Sequence, residues 1–259
     1  MLKVCKFGGS SVAGAEQFRK VRDIVLSDDS RRVVVISAAG KRTSDDHKLT
    51  DLLYLCHAHL TYGVSCADIL AAIRSRFVSI RDELGLSYRV EDEFDAYAAT
   101  LSRDTSVDEL VSRGEYFTAR LMAETLGYAF VDAADCVFFG FDGQFDRART
   151  DAAIAAALEK NGNIVLPGFN GRVPTGKIKV MTRGGSDITG ALAAAAVNAD
   201  VYENWTDVSG ILMADPRIVE NPRPIPRITY AELREMAFMG ASVLHEESIL
   251  PVKEKGISL

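Results

Sequence analysis

Along the 259 residues, short apolar runs of strand length alternate with longer stretches of helical periodicity. The first run places Leu2, Val4, Cys5 and Phe7 before a break at Gly8-Gly9, and Glu16 to Leu26 then reads as an amphipathic helix. Val33-Val34-Val35-Ile36 has no polar interruption, which predicts a strand buried on both faces of a parallel sheet. From Thr50 to Gly127 apolar positions recur at spacings of three and four, as in Ile69, Ile73, Phe77 and Ile80. Ser106-x-x-Glu109 is a capping box that opens a helix stopped by Gly127. Tyr128 to Val131, Val137 to Phe139, Ile164 to Leu166 and Val201 to Trp205 read as further strands. Between them, Thr150 to Lys160 is an alanine-rich helix, and a helix of small residues follows Gly184-Gly185. Thr229-x-x-Glu232 opens a helix ending near Gly240, and a last one covers about 243 to 255. Strands and helices in this alternation predict an α/β fold: a three-layer α/β/α sandwich on a mostly parallel central sheet.

Two glycine corners carry the candidate chemistry. At the first, Gly8, Gly9 and Ser10 lie between strand and helix, where backbone N–H groups and the positive end of a helix dipole favour an anion. Lys6 stands on the strand just before them, within reach of the same anion. The stretch is neither a GxGxxG fingerprint nor a Walker loop, since Gly40-Lys41-Arg42-Thr43 has Arg where magnesium requires Ser or Thr. At the second corner, Arg183 precedes Gly184-Gly185-Ser186-Asp187, and its planar fork suits a carboxylate or phosphate. Asp187 is also placed to be no more than a helix cap, and Glu115 no more than a solvated helix charge. A glycine at position 114, inside the helix, costs about 1 kcal/mol against alanine and so predicts a close neighbour. Together the corners look like two halves of one polyphosphate site.

Composition narrows the class. Apolar residues make up 47% and charged residues 25%, ordinary for a soluble globular protein. The net charge of −6 argues against a nucleic-acid partner, whose phosphates call for a basic surface. Cys5, Cys56, Cys66 and Cys136 are scattered without a CxxC pair, which favours reduced thiols over a disulfide or zinc framework. The longest apolar run, 191 to 197, is too short to cross a membrane. The first strand begins almost at the N-terminus and leaves no room for a signal peptide, so a cytoplasmic location is expected. Gly256-Ile257-Ser258-Leu259 reads as the opening of another strand, so a longer protein is expected.

The stretches KFGGSSVA (6–13), SRGE (112–115), RGGSD (183–187), WTDVSGILMADPR (205–217) and MGASVLHE (239–246) occur in this order. They resemble the catalytic domain of the aspartate kinases, within the amino acid kinase superfamily, over essentially the whole chain. SAAGKRTSDD followed by TDLL looks like the branch with a longer loop after the second strand. The resemblance implies transfer of the γ-phosphoryl group of ATP, with Mg2+, to the β-carboxylate of L-aspartate, the first step towards lysine, threonine and methionine. It implies an aspartate-binding lobe over about 1–170 and a nucleotide-binding lobe over about 171–259.

By the same resemblance, Lys6 neutralises the transferring group, and Gly8, Gly9 and Ser10 hold phosphate oxygens. Asp187 orients Lys6 and the substrate. Arg183 clamps the α-carboxylate of aspartate, Glu115 pairs with its ammonium, and Ser37, Thr50 and Ser186 bind its carboxylates. Thr206, Asp207, Leu212 and Arg217 fall at the nucleotide. No protein-held metal site is implied.

One departure is Ser242, where many relatives carry a phosphate-binding Lys; Lys177 or Lys179 is a candidate replacement. Relatives also continue into regulatory ACT domains that help form homodimers, and such domains and a homodimer are expected of the full-length protein. Kinases of acetylglutamate or UMP share the glycine corners. SRGE with RGGSD favours a free amino acid, since acetylglutamate has no ammonium for Glu115. A fold-retaining, non-catalytic ligand-binding module is the alternative of another class, supported by Ser242.

Overall fold

The computed structural model describes the chain except residues 183, 208–209, 216–217 and 239–245 and the side chains of 237 and 246–248. The chain opens with β1 (Lys3–Phe7), a 3-10 turn at Gly9–Val12 and α1 (Ala15–Leu26). After β2 (Arg31–Ile36) come α2 (Leu49–Tyr62), α3 (Ala67–Leu84), α4 (Val90–Ala98) and α5 (Val107–Leu126). The next stretch holds β3 (Ala129–Phe130), the short α6 (Ala133–Cys136), α7 (Arg147–Asn161) and β4 (Ile164–Pro167). A hairpin of β5 (Asn170–Arg172) and β6 (Ile178–Val180) precedes α8 (Gly185–Ala196), β7 (Val201–Trp205), α9 (Tyr230–Phe238) and α10 (Glu246–Lys255).

Among the described residues, β3-β4-β2-β1-β7 form one sheet in that order, and every pairing in it is parallel. Parallel pairing collects the carboxyl ends of β1, β2, β4 and β7 along one rim, where ligands bind in open α/β sheets. The uninterrupted run in β2 follows from burial on both faces. Val34 and Ile36 join a core with Phe18, Phe117 and Leu121, whereas Val33 and Val35 join one with Ile154, Leu192 and Tyr202. The first core lies under α1 to α5, the second under α7, α8 and α10, giving the three expected layers.

Local signals account for most element ends. The Ser106 hydroxyl accepts the Glu109 N–H at 3.2 Å, and Gly127 closes α5 in the left-handed conformation (φ 68°). At α9 the capping box is reciprocal: Thr229 Oγ1 accepts from the Glu232 N–H at 3.2 Å, and the Glu232 carboxylate accepts the Thr229 N–H at 2.8 Å.

Two readings change. Residues 137–139 form no strand of their own: Phe138 bridges Arg172 and Phe139 bridges Phe145, because the chain here runs between α6 and α7 beside the β5 hairpin. That hairpin, too short and polar to show a period, was not expected from the pattern. Ser258 makes an isolated parallel bridge to Val201. The four cysteines are free thiols, and Cys5, Cys56 and Cys136 are buried. No helix among the described residues is long and apolar enough to cross a membrane.

Candidate active site

Strand register sets the centre of the site. In parallel pairing Lys6 lies beside Asn204 on β7 and Val35 on β2, so the Lys6 and Asn204 side chains leave the sheet on one face. That face is covered by α8, whose N-terminal turn carries Asp187. Lys6 Nζ lies 2.7 Å from Asp187 Oδ1, and Asn204 Nδ2 donates to the same oxygen at 3.0 Å. Tyr202, one step back along β7 on the same face, donates its hydroxyl to the Asp187 carbonyl at 3.0 Å. Lys6 is only 8% exposed. An ammonium has three protons and Asp187 takes one. The remaining donors lie beside the first glycine corner, where Nζ is 3.6 Å from where a Gly8 Cβ would stand.

The first corner touches the ends of β7 and β2 through backbone. Gly8 N–H donates to the Trp205 carbonyl at 3.3 Å, and Gly40 N–H to the Gly9 carbonyl at 2.8 Å. A Cβ on Gly9 would fall 2.8 Å from the Ala38 carbonyl, and one on Gly40 would fall 2.7 Å from Gly9, so neither position admits a side chain. Ser37 N–H donates to Phe7 O at 3.2 Å and Gly168 N–H to Ile36 O at 2.9 Å, which extends the β1, β2 and β4 ladders to the rim. Ser186, buried, packs on Gly168, leaving 2.7 Å between its Cβ and an added Gly168 Cβ.

Glu115 reaches the same rim from α5. Its helix approaches through Gly114, where a Cβ would stand 3.0 Å from Ala38 Cβ and 3.2 Å from Leu53 Cδ1; this is the close neighbour the sequence predicts. Glu115 is 5% exposed, which excludes a solvated helix charge. Burial pushes its carboxyl up to about 8, against the opposing hydrogen bond from the Ala38 N–H. Its Oε2 atom has no hydrogen-bond partner among the described residues. A cation or a donor brought to Oε2 therefore finds an acceptor whose desolvation has already occurred.

The remaining candidates are distributed as follows. Gly8, Gly9, half-buried Ser37 and exposed Ser10 sit on the rim. Thr50 lies in the first turn of α2, half-buried. Thr206 and Asp207, exposed and joined by a 3.2 Å hydrogen bond, follow β7, and Leu212 pairs with Pro224. Thr206 opens onto a cavity of about 1130 Å3 between β7, Ile211 and Ile225. Arg183, Arg217 and Ser242 lie outside the described residues. Lys179, a candidate replacement for the missing Lys, is held elsewhere: its Nζ donates to Gly143 O at 3.0 Å and lies over the Phe139 ring.

Sequence reading missed Asn204, Thr118 and Phe169. Asn204 was legible from alternation with Tyr202 and from the parallel partnership with Lys6. Thr118 is buried within α5, where its Oγ1 accepts the Ala39 N–H at 3.2 Å and steadies the β2 corner. Phe169 adopts φ 76° between β4 and β5, held by Thr189 Oγ1, which accepts its N–H at 3.1 Å. A non-glycine in that region stores strain of order 1–3 kcal/mol, a cost concentrated at ligand sites, and no local signal announces it.

A lysine–aspartate pair thus stands at a rim of oriented N–H groups, beside the glycine corner that follows β1 of the parallel sheet. The chain belongs to the amino acid kinase family, whose description matches residues 1–259. More particularly, it is similar to aspartate kinases. Aspartokinase 3 of Bacillus subtilis is 35% identical over 270 residues, spanning 99% of this chain and 60% of that protein. The crystal structure of Clostridium acetobutylicum aspartate kinase superposes with a TM-score of 0.92 at 45% identity, covering 99% of this chain and 58% of that one. Escherichia coli aspartokinase III, solved in complex with aspartate and ADP, gives a TM-score of 0.83 at 32% identity over 99% of this chain and 60% of that one. The chain thus spans about three fifths of the length of these relatives.

Proposed function

We propose that this chain is the catalytic part of an aspartate kinase, which transfers the γ-phosphoryl group of ATP to the β-carboxylate of L-aspartate. The observation that carries the reading is the Lys6–Asp187 pair, 2.7 Å apart, between glycine corners in a chain similar to aspartate kinases.

The chemistry asks for charge neutralisation rather than a base. A carboxylate with a pKa of about 3.9 is already ionised at neutral pH, so no proton has to leave the nucleophile. The obstacle is repulsion between two anions, about 4 kcal/mol per pair of unit charges at ~4 Å and an effective dielectric near 20. Lys6 supplies the cation at the transferring group, and the Gly8, Gly9 and Ser10 corner supplies oriented N–H donors. Asp187 and Asn204 hold the ammonium of Lys6 in place. Asp187 therefore organises the site and abstracts no proton.

Glu115 receives the α-ammonium of aspartate on its unpartnered Oε2, and Arg183 clamps the α-carboxylate. Ser37, Thr50 and Ser186 hydrogen-bond the substrate. The nucleotide extends from the rim towards Thr206, Asp207, Leu212 and Arg217. Among the described residues no group of three His, Cys, Asp or Glu side chains is placed to hold a metal ion. Mg2+, carried on the ATP phosphates, would neutralise part of their charge.

The test is turnover with ATP, Mg2+ and L-aspartate, trapping the acyl phosphate with hydroxylamine, with N-acetylglutamate and UMP as rival acceptors. Aspartate-dependent hydroxamate is expected. Turnover with a rival instead, or none in the full-length protein, overturns the reading. Arg183→Ala should raise the aspartate KM severely; an unchanged KM with impaired ATP binding would remove Arg183 from the amino-acid site.

A further inference from the structure

Behind the catalytic rim lies a buried arginine that the phosphoryl-transfer chemistry does not use. Arg76, on α3, is 4% exposed. Its Nη1 donates to the His47 carbonyl at 2.7 Å and its Nη2 to the Gly40 carbonyl. The nearest carboxylate, Asp46, is 3.6 Å away and already accepts from Arg42 Nε at 2.8 Å and Arg42 N at 3.1 Å. Nε of Arg76 has no partner among the described residues. Burial pulls the guanidinium below its ordinary pKa, which Asp46 only partly opposes. Burying an incompletely paired cation is costly, so stability is a poor account of its placement.

The two carbonyls it grips bracket residues 41–46 of the polar loop between β2 and α2. Gly40 is consequently held from both sides: Arg76 takes its carbonyl, and its N–H donates to Gly9 at 2.8 Å. A Cβ on Gly40 would fall 2.7 Å from Gly9 and 2.9 Å from Ser10 N, and the Gly40 N–H is bonded to Gly9, so a shift of Gly40 moves the corner. His47, at the far end of the loop, is three residues before Thr50.

We propose that Arg76 is a positioning residue: through Gly40 it fixes the glycine corner at residues 8–10, and through His47 the start of α2. The fork is suited to this task because two divergent N–H groups set the relative place of two carbonyls, which a single ammonium cannot do. Misplacing phosphate donors by about 1 Å is enough to cost roughly a hundredfold in rate. The inference rests on the aspartate kinase reading for its kinetic part, and on the hydrogen-bond chain alone for its structural part.

The experiment compares the parent protein with Arg76→Met and Arg76→Lys by hydroxamate kinetics and by hydrogen exchange read peptide by peptide. For Arg76→Met, kcat should fall by about tenfold or more, outweighing the rise of about threefold in the aspartate KM that follows from a displaced Thr50. Exchange should quicken in residues 8–12 as well as 37–48, with α7 as in the parent. Arg76→Lys, which keeps the charge but not the fork, should fall between and serves where the Met variant does not fold. Quickening confined to 41–48, or an unchanged kcat, overturns the proposal. If the parent shows no aspartate-dependent turnover, the kinase reading has failed, and exchange at 8–12 alone decides whether Arg76 braces the corner.

Discussion

Lys6 Nζ and Asp187 Oδ1 stand 2.7 Å apart although 181 positions separate the two residues in the chain, and Asn204 donates to the same carboxylate oxygen at 3.0 Å. The pair places a cation at the carboxyl end of β1 with its direction set by an anion on α8. Lys6→Met should lower kcat by about 10² to 10³, the range for losing one preorganised electrostatic contact, with little change in the aspartate KM. Steady-state kinetics with both substrates varied reads the split; a raised aspartate KM at unchanged kcat would move Lys6 out of the transition state.

Asn204 has no charge of its own, so its part is orientation. Asn204→Leu should lower kcat by about tenfold while leaving the fold intact, because one of the two groups directing the Asp187 carboxylate is gone. Asn204→Asp should be worse, since it sets a second carboxylate against the first. Equal losses for the two variants, measured at the same pH, would argue against an electrostatic origin.

Glu115 links proton and substrate binding. Its carboxyl is pushed up to about 8 by burial, so it is largely protonated at pH 7 in the free protein. An ammonium brought to Oε2 favours the carboxylate and displaces the proton. Aspartate binding at pH 7 should therefore release about one proton per site, and none in Glu115→Gln. Titration calorimetry in buffers of different ionisation enthalpy measures this number directly.

The same group tilts the stability curve. In the unfolded chain Glu115 ionises near 4.5, and in the folded protein near 8. Between these values only the folded chain holds the proton, so its contribution to stability declines as pH rises from about 4.5 to about 8 and is level beyond. Thermal melting of Glu115→Gln should lack that decline, the two proteins converging at the acid end.

Gly114→Ala sets helix propensity against packing. Alanine favours the helix by about 1 kcal/mol, but its Cβ would press on Ala38 Cβ at 3.0 Å. The Ala38–Ala39 corner is tied to Thr118 by a hydrogen bond and cannot retreat freely. Overpacking a well-filled site costs about 1–3 kcal/mol, so the substitution should lower Tm and raise the aspartate KM together. A higher Tm would show that the corner yields.

The sheet was legible because parallel strands buried on both faces need continuous apolar runs, which β2 and β4 carry, while β1 and β7 keep shorter ones broken by Lys6 and by Glu203-Asn204. Lys6, the glycines and Asp187 were legible because a cation beside a tight corner is a local pattern. Glu115 was ambiguous: helix periodicity alone does not say which face of α5 meets the corner at 37–40, and Gly114 gave the only hint. Phe169 and Arg76 were invisible for another reason. Their roles depend on partners far away in sequence, brought close by strand order. The β5–β6 hairpin is held by backbone pairing over three residues per strand, too few for a period to register.

The order β3-β4-β2-β1-β7 also has a consequence for synthesis. β1 is the first of these strands to leave the ribosome, yet one of its two neighbours is β7, with Cys5 and Glu203 separated by 198 positions. At about 5–20 residues per second, roughly 10–40 s pass before β7 exists to cover that edge. Throughout this interval the nascent chain presents an open, apolar strand edge, and Lys6 waits without its carboxylate. Phosphate-binding competence should therefore arrive abruptly, once β7 has emerged, and a chaperone shielding the β1 edge should matter most in that window.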